Sequence, residues 1–390
     1  MTAMRICGVI AEYDPLHSGH AWHLSEARRR TGAEKIVCVI SGSFTQRGMP
    51  ALLSPHLRAE MALRAGADLV LQLPVSFSVC EAERFALGGV EILRRLGAEY
   101  LCFGAEPEGI PVLEAAAELL ETPTAEYRER LHGLLDTGMA FPTAQGQALA
   151  EALNVDPALL AQPNTALAIC YLRAIRRLKA SMVPVAVPRS GGYHDEALRP
   201  DLLPSATAVR AACLRQEWDS VQAAMPKAAY ALLQSAFQSG QYHAPDALIP
   251  LLRWKLRQSV DYSHLPGLSE GIENRLPLAA DGLTREEMTL AVKSKRYSYA
   301  RINRLLTHAL LDTDARRLDP LPRHAFVLGF RRGASALLKG LAADDFACYS
   351  QMPANPGTYE LQLDSLADDL WNLGASQPFG GIYRQKPVIL

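Results

Sequence analysis

One stretch near the N-terminus constrains this chain more than any other: Gly8-Val9-Ile10-Ala11-Glu12-Tyr13-Asp14-Pro15-Leu16-His17-Ser18-Gly19-His20. Residues 5–11 form a short, mostly apolar run of strand length, and Asp14-Pro15 breaks it, because the residue before a proline is pushed out of the α region. From His20 onward Ala-Trp-His-Leu-Ser-Glu-Ala-Arg-Arg-Arg favours helix, with Ser18 as its expected N-cap and Trp22, Leu24 and Ala27 available for packing. His17 and His20 then stand at the mouth of that helix, where free backbone N–H groups and the helix dipole attract anions. A triphosphate is the natural guest. Taken alone, H-x-x-H also suits a pair of surface or capping histidines; the strand immediately before it is what points to a ligand.

Further strand-like runs occupy residues 35–40, 68–73, 100–103 and 182–187, and the segments between them have helical character. Such alternation predicts an α/β fold with a parallel sheet wound by right-handed crossovers, binding its ligand outside the carboxyl ends of the strands. Those ends carry residues 14–20, 41–47, 74–77 and 104–106, with Arg189 after the last run. Helices are expected at 57–63 and at 82–96, where Gly88-Gly89 marks close packing on the sheet. Glu81 and Glu83, at the start of the second, read as partners of the helix dipole and not as an acid–base pair. Residues 110–153 suggest two or three helices beside the crevice.

Pro163-Asn164 opens a helix in which Leu167, Cys170, Tyr171, Ala174, Ile175 and Leu178 recur at three- and four-residue spacing, with Asn164 at its cap. In Pro204-Ser205-Ala206-Thr207-Ala208-Val209-Arg210, Ser205 and Thr207 offer hydroxyls at a new helix start and Arg210 adds a permanent charge suited to phosphate. On its own S-x-T-x-x-R is more often a helix cap.

Beyond about residue 213 the strand alternation stops, dividing the chain into 1–215 and a mainly helical 216–390. Residues 285–332 hold eleven Lys or Arg against five Asp or Glu, although the whole chain carries a net charge of only -1. Lys293, Lys295, Arg296, Arg301 and Arg304 cluster there with Tyr297 and Tyr299 between them, a pattern that can neutralise RNA phosphates and stack on unpaired bases, or simply be a solvated face. Residues 324–330 and 346–349 are expected as a few strands completing this second domain, with a helix near 363–373. Seven cysteines without a C-x-x-C pair read as reduced core residues. With no basic-then-apolar leader and no membrane-length apolar run, the expectation is a cytoplasmic protein with no membrane partner.

The opening stretch resembles the H-x-G-H signature of the nucleotidyltransferase superfamily, and its longer form, G-x-I-A-E-Y-[ND]-P-x-H-x-G-H, is similar to the bacterial tRNA(Met) cytidine acetate ligase family. Ser41-Gly42-Ser43-Phe44-Thr45-Gln46-Arg47-Gly48, Asp68 to Pro74, Phe103-Gly104-Ala105-Glu106, Gly192-Tyr193-His194-Asp195 and Lys295-Arg296-Tyr297 extend the resemblance over most of the chain. It implies a Rossmann-like nucleotidyltransferase domain followed by a tRNA-binding helical domain. The implied enzyme is a ligase that uses ATP, with Mg2+ accompanying it, to activate acetate as acetyl-adenylate. The acetyl group then passes to N4 of the wobble cytidine of elongator tRNA(Met).

His17, His20, Ser205 and Arg210 would be catalytic. ATP would be held by Ile10, Ala11, Glu12, Tyr13, Asp14, Pro15, Leu16, His17, Ser18, Gly19, His20, Ala21, Trp22 and His23, with Gly104, Asn164, Arg189 and Thr207. Lys293, Lys295, Arg296, Arg301 and Arg304 would meet tRNA, and no protein metal site is expected. The chain departs from the family pattern at Asp14 and Ser18, where asparagine is common, at Leu16 in place of phenylalanine, and at Ser43 and Thr45. A small-molecule adenylyltransferase and a noncatalytic tRNA-binding protein are the alternative readings.

Overall fold

Continuous apolar runs with β-branched residues build the parallel strands β1 Ile6–Ala11, β2 Lys35–Ser41, β3 Leu69–Leu73, β4 Tyr100–Ala105 and β5 Val183–Pro188. Both faces of the sheet are covered, so alternate residues of one strand enter different cores: Val37 and Val39 pack on one side, Ile36, Cys38 and Ile40 on the other. Three later strands, β6 His324–Phe330, β7 Ala347–Tyr349 and β8 Val388–Ile389, complete the sheet. Its order is β5-β4-β1-β2-β3-β6-β7, with β8 also on β6. Strand order reverses between β1 and β4, which makes their carboxyl ends the switch point of the sheet. The computed structural model describes residues 4–105, 109–139, 141–160, 162–188, 198, 203–258, 261–269, 271–341 and 345–390.

The helices that matter for the switch point are α1 Ser18–Thr31, α2 Pro55–Arg64, α3 Ala82–Arg95, α4 Pro163–Arg177 and α5 Ala206–Leu214. From the C-terminal half come α6 Arg285–Val292, α7 Tyr299–Leu311 and α8 Tyr359–Gly374. Over residues 110–153, for which two or three helices are expected, three form: Ile110–Glu121, Ala125–Asp136 and Phe141–Leu153. Close packing of α3 needs its two glycines: a Cβ on Gly89 would come within 2.6 Å of Ile10 in β1, and one on Gly88 within 2.8 Å of Phe77. Glu83 of α3 pairs with Arg173 at 2.7 Å and with Arg177, so it joins α3 to α4.

Several expectations shift. His17, not Ser18, is the N-cap of α1, and Gln162, not Asn164, caps α4, where Pro163 takes the first helical position. Residues 324–330 do form a strand, but it pairs antiparallel with β3, Leu69 opposite Phe330 and Gln72 opposite Phe326, so it extends the N-terminal sheet instead of completing a separate domain. The one sheet thus takes strands from both sides of the expected division near residue 215. In α8, Asp364 Oδ1 accepts from Val75 N at 2.7 Å and Oδ2 meets His324 Nε2 at 2.7 Å, while Trp371 Nε1 donates to Ala51 O at 2.6 Å.

All seven cysteines are free, and burial pushes the Cys38 thiol up to about 12 and Cys170 up to about 11. Among the described residues no helix is long and apolar enough to cross a membrane.

Arg58 of α2 is the largest fully buried side chain, at 0% exposure. Its guanidinium donates to Leu53 O at 3.0 Å, Glu12 O at 2.6 Å, Ser41 Oγ at 3.4 Å and Gly42 O. Arg58→Leu leaves those acceptors buried without a donor and should lower the unfolding free energy in urea by about 3–5 kcal/mol. Arg64→Leu, which breaks only a one-turn surface pair with Glu60, should cost less than about 0.5 kcal/mol.

Candidate functional site

After β1 the backbone turns sharply, with Tyr13 at φ 51 and a cis Asp14–Pro15 peptide, and enters α1 at His17. Tyr13 is buried with its hydroxyl 3.5 Å from Cys38 Sγ, and its ring meets His20 edge-on at 5.0 Å. The His17 and His20 rings stack at 3.7 Å, and His17 N donates to His20 Nδ1 at 3.3 Å. Between them a Cβ on Gly19 would sit 3.0 Å from the His17 ring, so a larger residue here would push that ring aside.

The start of α5 faces this helix mouth. Ser205 caps α5, its Oγ accepting from Ala208 N at 3.0 Å. Arg210 reaches back to the β1 loop: Nη1 donates to Asp14 O at 2.5 Å and lies 3.3 Å from Asp14 Oδ2, and Nη2 donates to Thr207 Oγ1 at 3.2 Å. Asp14 is buried, and its Oδ1 accepts from Leu52 N at 2.7 Å. A negative side chain beside an anion site is thus matched by the cation that would otherwise face the phosphates alone.

Both helix starts open on one cavity of about 780 Å³ at the β1–β4 switch point. It is lined by Ile10, Ala11, Glu12, Tyr13, Asp14, His17, Gly19, His20, Trp22, His23, Gly104, Asn164, Ser205, Thr207 and Arg210. At Gly104 an added Cβ would meet nothing within 4 Å among the described residues, so protein packing does not demand its smallness. Pro15, Leu16, Ser18 and Ala21 are not among the lining residues, and Leu16 is a buried core side chain. Arg189, with His194 and Asp195, lies outside the described residues.

The basic cluster is divided. Arg304 of α7 lines the large cavity, and with Arg301 it also lines a second one of about 190 Å³. Lys293 Nζ donates to Ser294 O at 2.6 Å and lies 5.2 Å from the Tyr299 ring, while Arg301 donates to Gly267 O at 3.2 Å. Lys295 and Arg296 are exposed. Tyr297 is buried, which overturns its expected role in base stacking, whereas Tyr299 is exposed.

The cavity also has walls that its sequence neighbourhood did not announce: Asp246, Arg285, Ser298 and Arg304 come from the C-terminal half. Arg285 donates to Gly48 O at 3.0 Å, Asn303 O at 2.6 Å and Thr307 Oγ1 at 2.8 Å, and its backbone N–H donates to Asp246 Oδ1 at 2.8 Å. Burial lowers the Arg285 pKa to about 10. Among the described residues no group of three His, Cys, Asp or Glu side chains converges as a metal site.

A cavity framed by two helix N-termini at the switch point of a mostly parallel sheet suits a nucleotide, and the HIGH Nucleotidyl Transferase family model matches residues 4–381, which makes the chain a nucleotidyl transferase by family. Within that class the chain belongs to the tRNA(Met) cytidine acetate ligase family. It is 34% identical to the ligase of that name from Clostridium kluyveri, covering 99% of both chains, and 39% identical to that of Syntrophotalea carbinolica, covering 79% of this chain and 74% of that protein. The crystal structure of Thermotoga maritima TmcAL (apo, form I) matches with a TM-score of 0.88 at 26% identity over 99% of this chain and 100% of that one. The same protein bound with alpha-thio ATP matches with a TM-score of 0.86 at 25% identity over the same shares.

Asp14→Asn should keep the hydrogen bond from Leu52 N and release Arg210 from its carboxylate partner. ATP affinity, followed by calorimetry, should rise about threefold, the size of a partly screened ion pair, and the gain should shrink as salt is added.

Proposed function

We propose that this chain activates acetate with ATP and acetylates N4 of the wobble cytidine of elongator tRNA(Met), acting in the cytoplasm. The observation that carries the reading is the pair of helix N-termini, with His17 and His20 on one and Thr207 and Arg210 on the other, facing a single cavity. Its size lies in the range of cofactor and nucleotide sites, roughly 300–1,000 Å³.

In the first step an acetate oxygen attacks the α-phosphorus, the bond from that phosphorus to the bridging oxygen breaks, and pyrophosphate leaves. Negative charge grows on the phosphate oxygens throughout. The α1 and α5 N–H groups, the His17 and His20 rings, and the Arg210 guanidinium would serve as donors to that charge. Ser205 contributes by capping α5, which fixes where that helix begins. Mg2+ would arrive with ATP; no side-chain cluster among the described residues supplies it with three ligands.

In the second step the cytidine amine takes the acetyl group and AMP leaves. Arg304, at the cavity wall, and the exposed Lys295 and Arg296 would neutralise phosphates of the RNA. Lys293 and Arg301 would contribute to the same field.

Purified protein given ATP, labelled acetate and tRNA lacking N4-acetylcytidine should place label in that nucleoside. His20→Ala should slow acetate-dependent ATP–pyrophosphate exchange by about 10²–10³-fold with the fold intact, as loss of one transition-state donor does. Exchange without labelled RNA would reassign the acceptor, and neither signal from folded, ATP-binding protein would overturn the reading.

A further inference from the structure

The cytidine amine is a weak nucleophile because its lone pair is shared with the ring, so its attack on acetyl-adenylate calls for a group that removes a proton as the bond forms. The α1 and α5 N–H groups and the Arg210 guanidinium suit phosphate but cannot accept a proton, whereas a carboxylate can. Among the described residues three carboxylates line the cavity, those of Glu12, Asp14 and Asp246. Asp14 is occupied on both oxygens by Leu52 N and Arg210. Asp246 accepts the Arg285 backbone N–H and is exposed.

Glu12 differs from both. Its backbone carbonyl is held by buried Arg58 at 2.6 Å, and its Oε1 accepts from Gln46 N at 2.6 Å. Its Oε2 has no hydrogen bond or ion pair among the described residues. The side chain is therefore fixed at one oxygen and available at the other.

Position supports the same role. Glu12 follows β1 directly, next to the α1 mouth, and its partner Gln46 precedes Arg47 and Gly48, whose carbonyl is bound by Arg285 and Thr307 of the C-terminal half. Glu12 thus lies between the α1 mouth and the part of the cavity wall that the C-terminal half holds in place.

We infer that Glu12 is the general base of acetyl transfer, a role that rests on the ligase reading above. The N4 lone pair forms a bond to the acetyl carbonyl carbon and the carbonyl π pair moves onto oxygen. Glu12 Oε2 takes one N4 proton. Collapse of the adduct restores the carbonyl and breaks its bond to the phosphate oxygen, releasing AMP, and the carboxyl returns its proton to water.

Burial raises the Glu12 pKa above the ordinary carboxylate value; the Gln46 N–H opposes this, neighbouring Asp14 adds to it, and Arg210 and Arg47 oppose it. Among the described residues, Arg58 from α2 carries a further charge beside Glu12, and His17, His20, His23, His243, Asp246, Arg285 and Arg304 line the same cavity. Since the base works as the carboxylate, transfer should slow as pH falls through that raised pKa.

Two half-reactions are measured on the full-length protein: acetate-dependent ATP–pyrophosphate exchange, and transfer to tRNA from acetyl-adenylate supplied as a reagent. Glu12→Gln should reduce transfer by about 10²–10⁴-fold, the usual contribution of a general base, and by at least about 30-fold more than it reduces exchange. Its transfer rate should lose the acidic limb of the wild-type pH profile, and Glu12→Asp should recover part of the rate.

Equal losses in both half-reactions, or an unchanged pH profile in Glu12→Gln, would overturn the proton role. If the wild-type protein performs neither half-reaction, the ligase reading falls, and this role with it.

Discussion

A single buried guanidinium ties together the backbone on which the cavity depends. Arg58 reaches Glu12 O after β1, Ser41 Oγ and Gly42 O at the end of β2, and Leu53 O before its own helix. Withdrawing a cation from water is costly, and burial lowers the Arg58 pKa accordingly. The fork geometry of arginine allows one side chain to serve several acceptors in fixed directions, which a lysine ammonium on its flexible stem would not reproduce. The carboxylates of Glu12 and Asp14, both on the β1 loop, supply the opposing charge nearby. Loops that must remain irregular to face a ligand are in this way given a rigid base.

The second organising feature is that the cavity is not the property of one half of the chain. Arg285 binds Gly48 O, Thr307 binds the same carbonyl at 2.6 Å, and a Cβ on Gly48, at φ 75, would come within 2.6 Å of Arg304 N. Further out, Asp364 and Trp371 of α8 fasten to Val75 and Ala51. Elements that present cations at the cavity edge are thereby bonded to the loop after β2.

Much of the α/β part was legible because its signals are local. The runs at residues 35–40 and 100–103 became β2 and β4, and Gly88-Gly89 marked close packing because only a missing Cβ admits Phe77 and Ile10. The helix starts were legible to within one or two residues: a histidine capping α1 is not a strong sequence signal, and Pro163 at the first helical position displaces the cap to Gln162. Long-range partners were not legible. Nothing in residues 324–330 announces that their neighbour is β3, some 250 residues earlier in the chain, and nothing around Arg58 or Arg285 reveals which carbonyls they meet. Tyr297 shows the limit of composition, since an aromatic among cations reads as a stacking surface until burial is known.

The charges of the cavity are arranged for two successive demands that oppose each other. Forming an adenylate asks for positive charge and N–H donors, which α1, α5 and Arg210 provide. Acylating an amine asks for a negative group able to take a proton, which the same donors would repel from its protonated form and hold too firmly in its ionised form. Separation resolves the conflict: Asp14 is committed to Arg210 and Leu52, whereas Glu12 is held through Gln46 N and is bonded to neither Arg210 nor a histidine among the described residues. Asp14 then balances the anion site, leaving Glu12 with a proton affinity set mainly by its burial. An asparagine at position 14, as is common in the family pattern, would remove one negative neighbour and leave Glu12 a weaker base. The aspartate found here therefore favours acyl transfer at some expense to nucleotide binding.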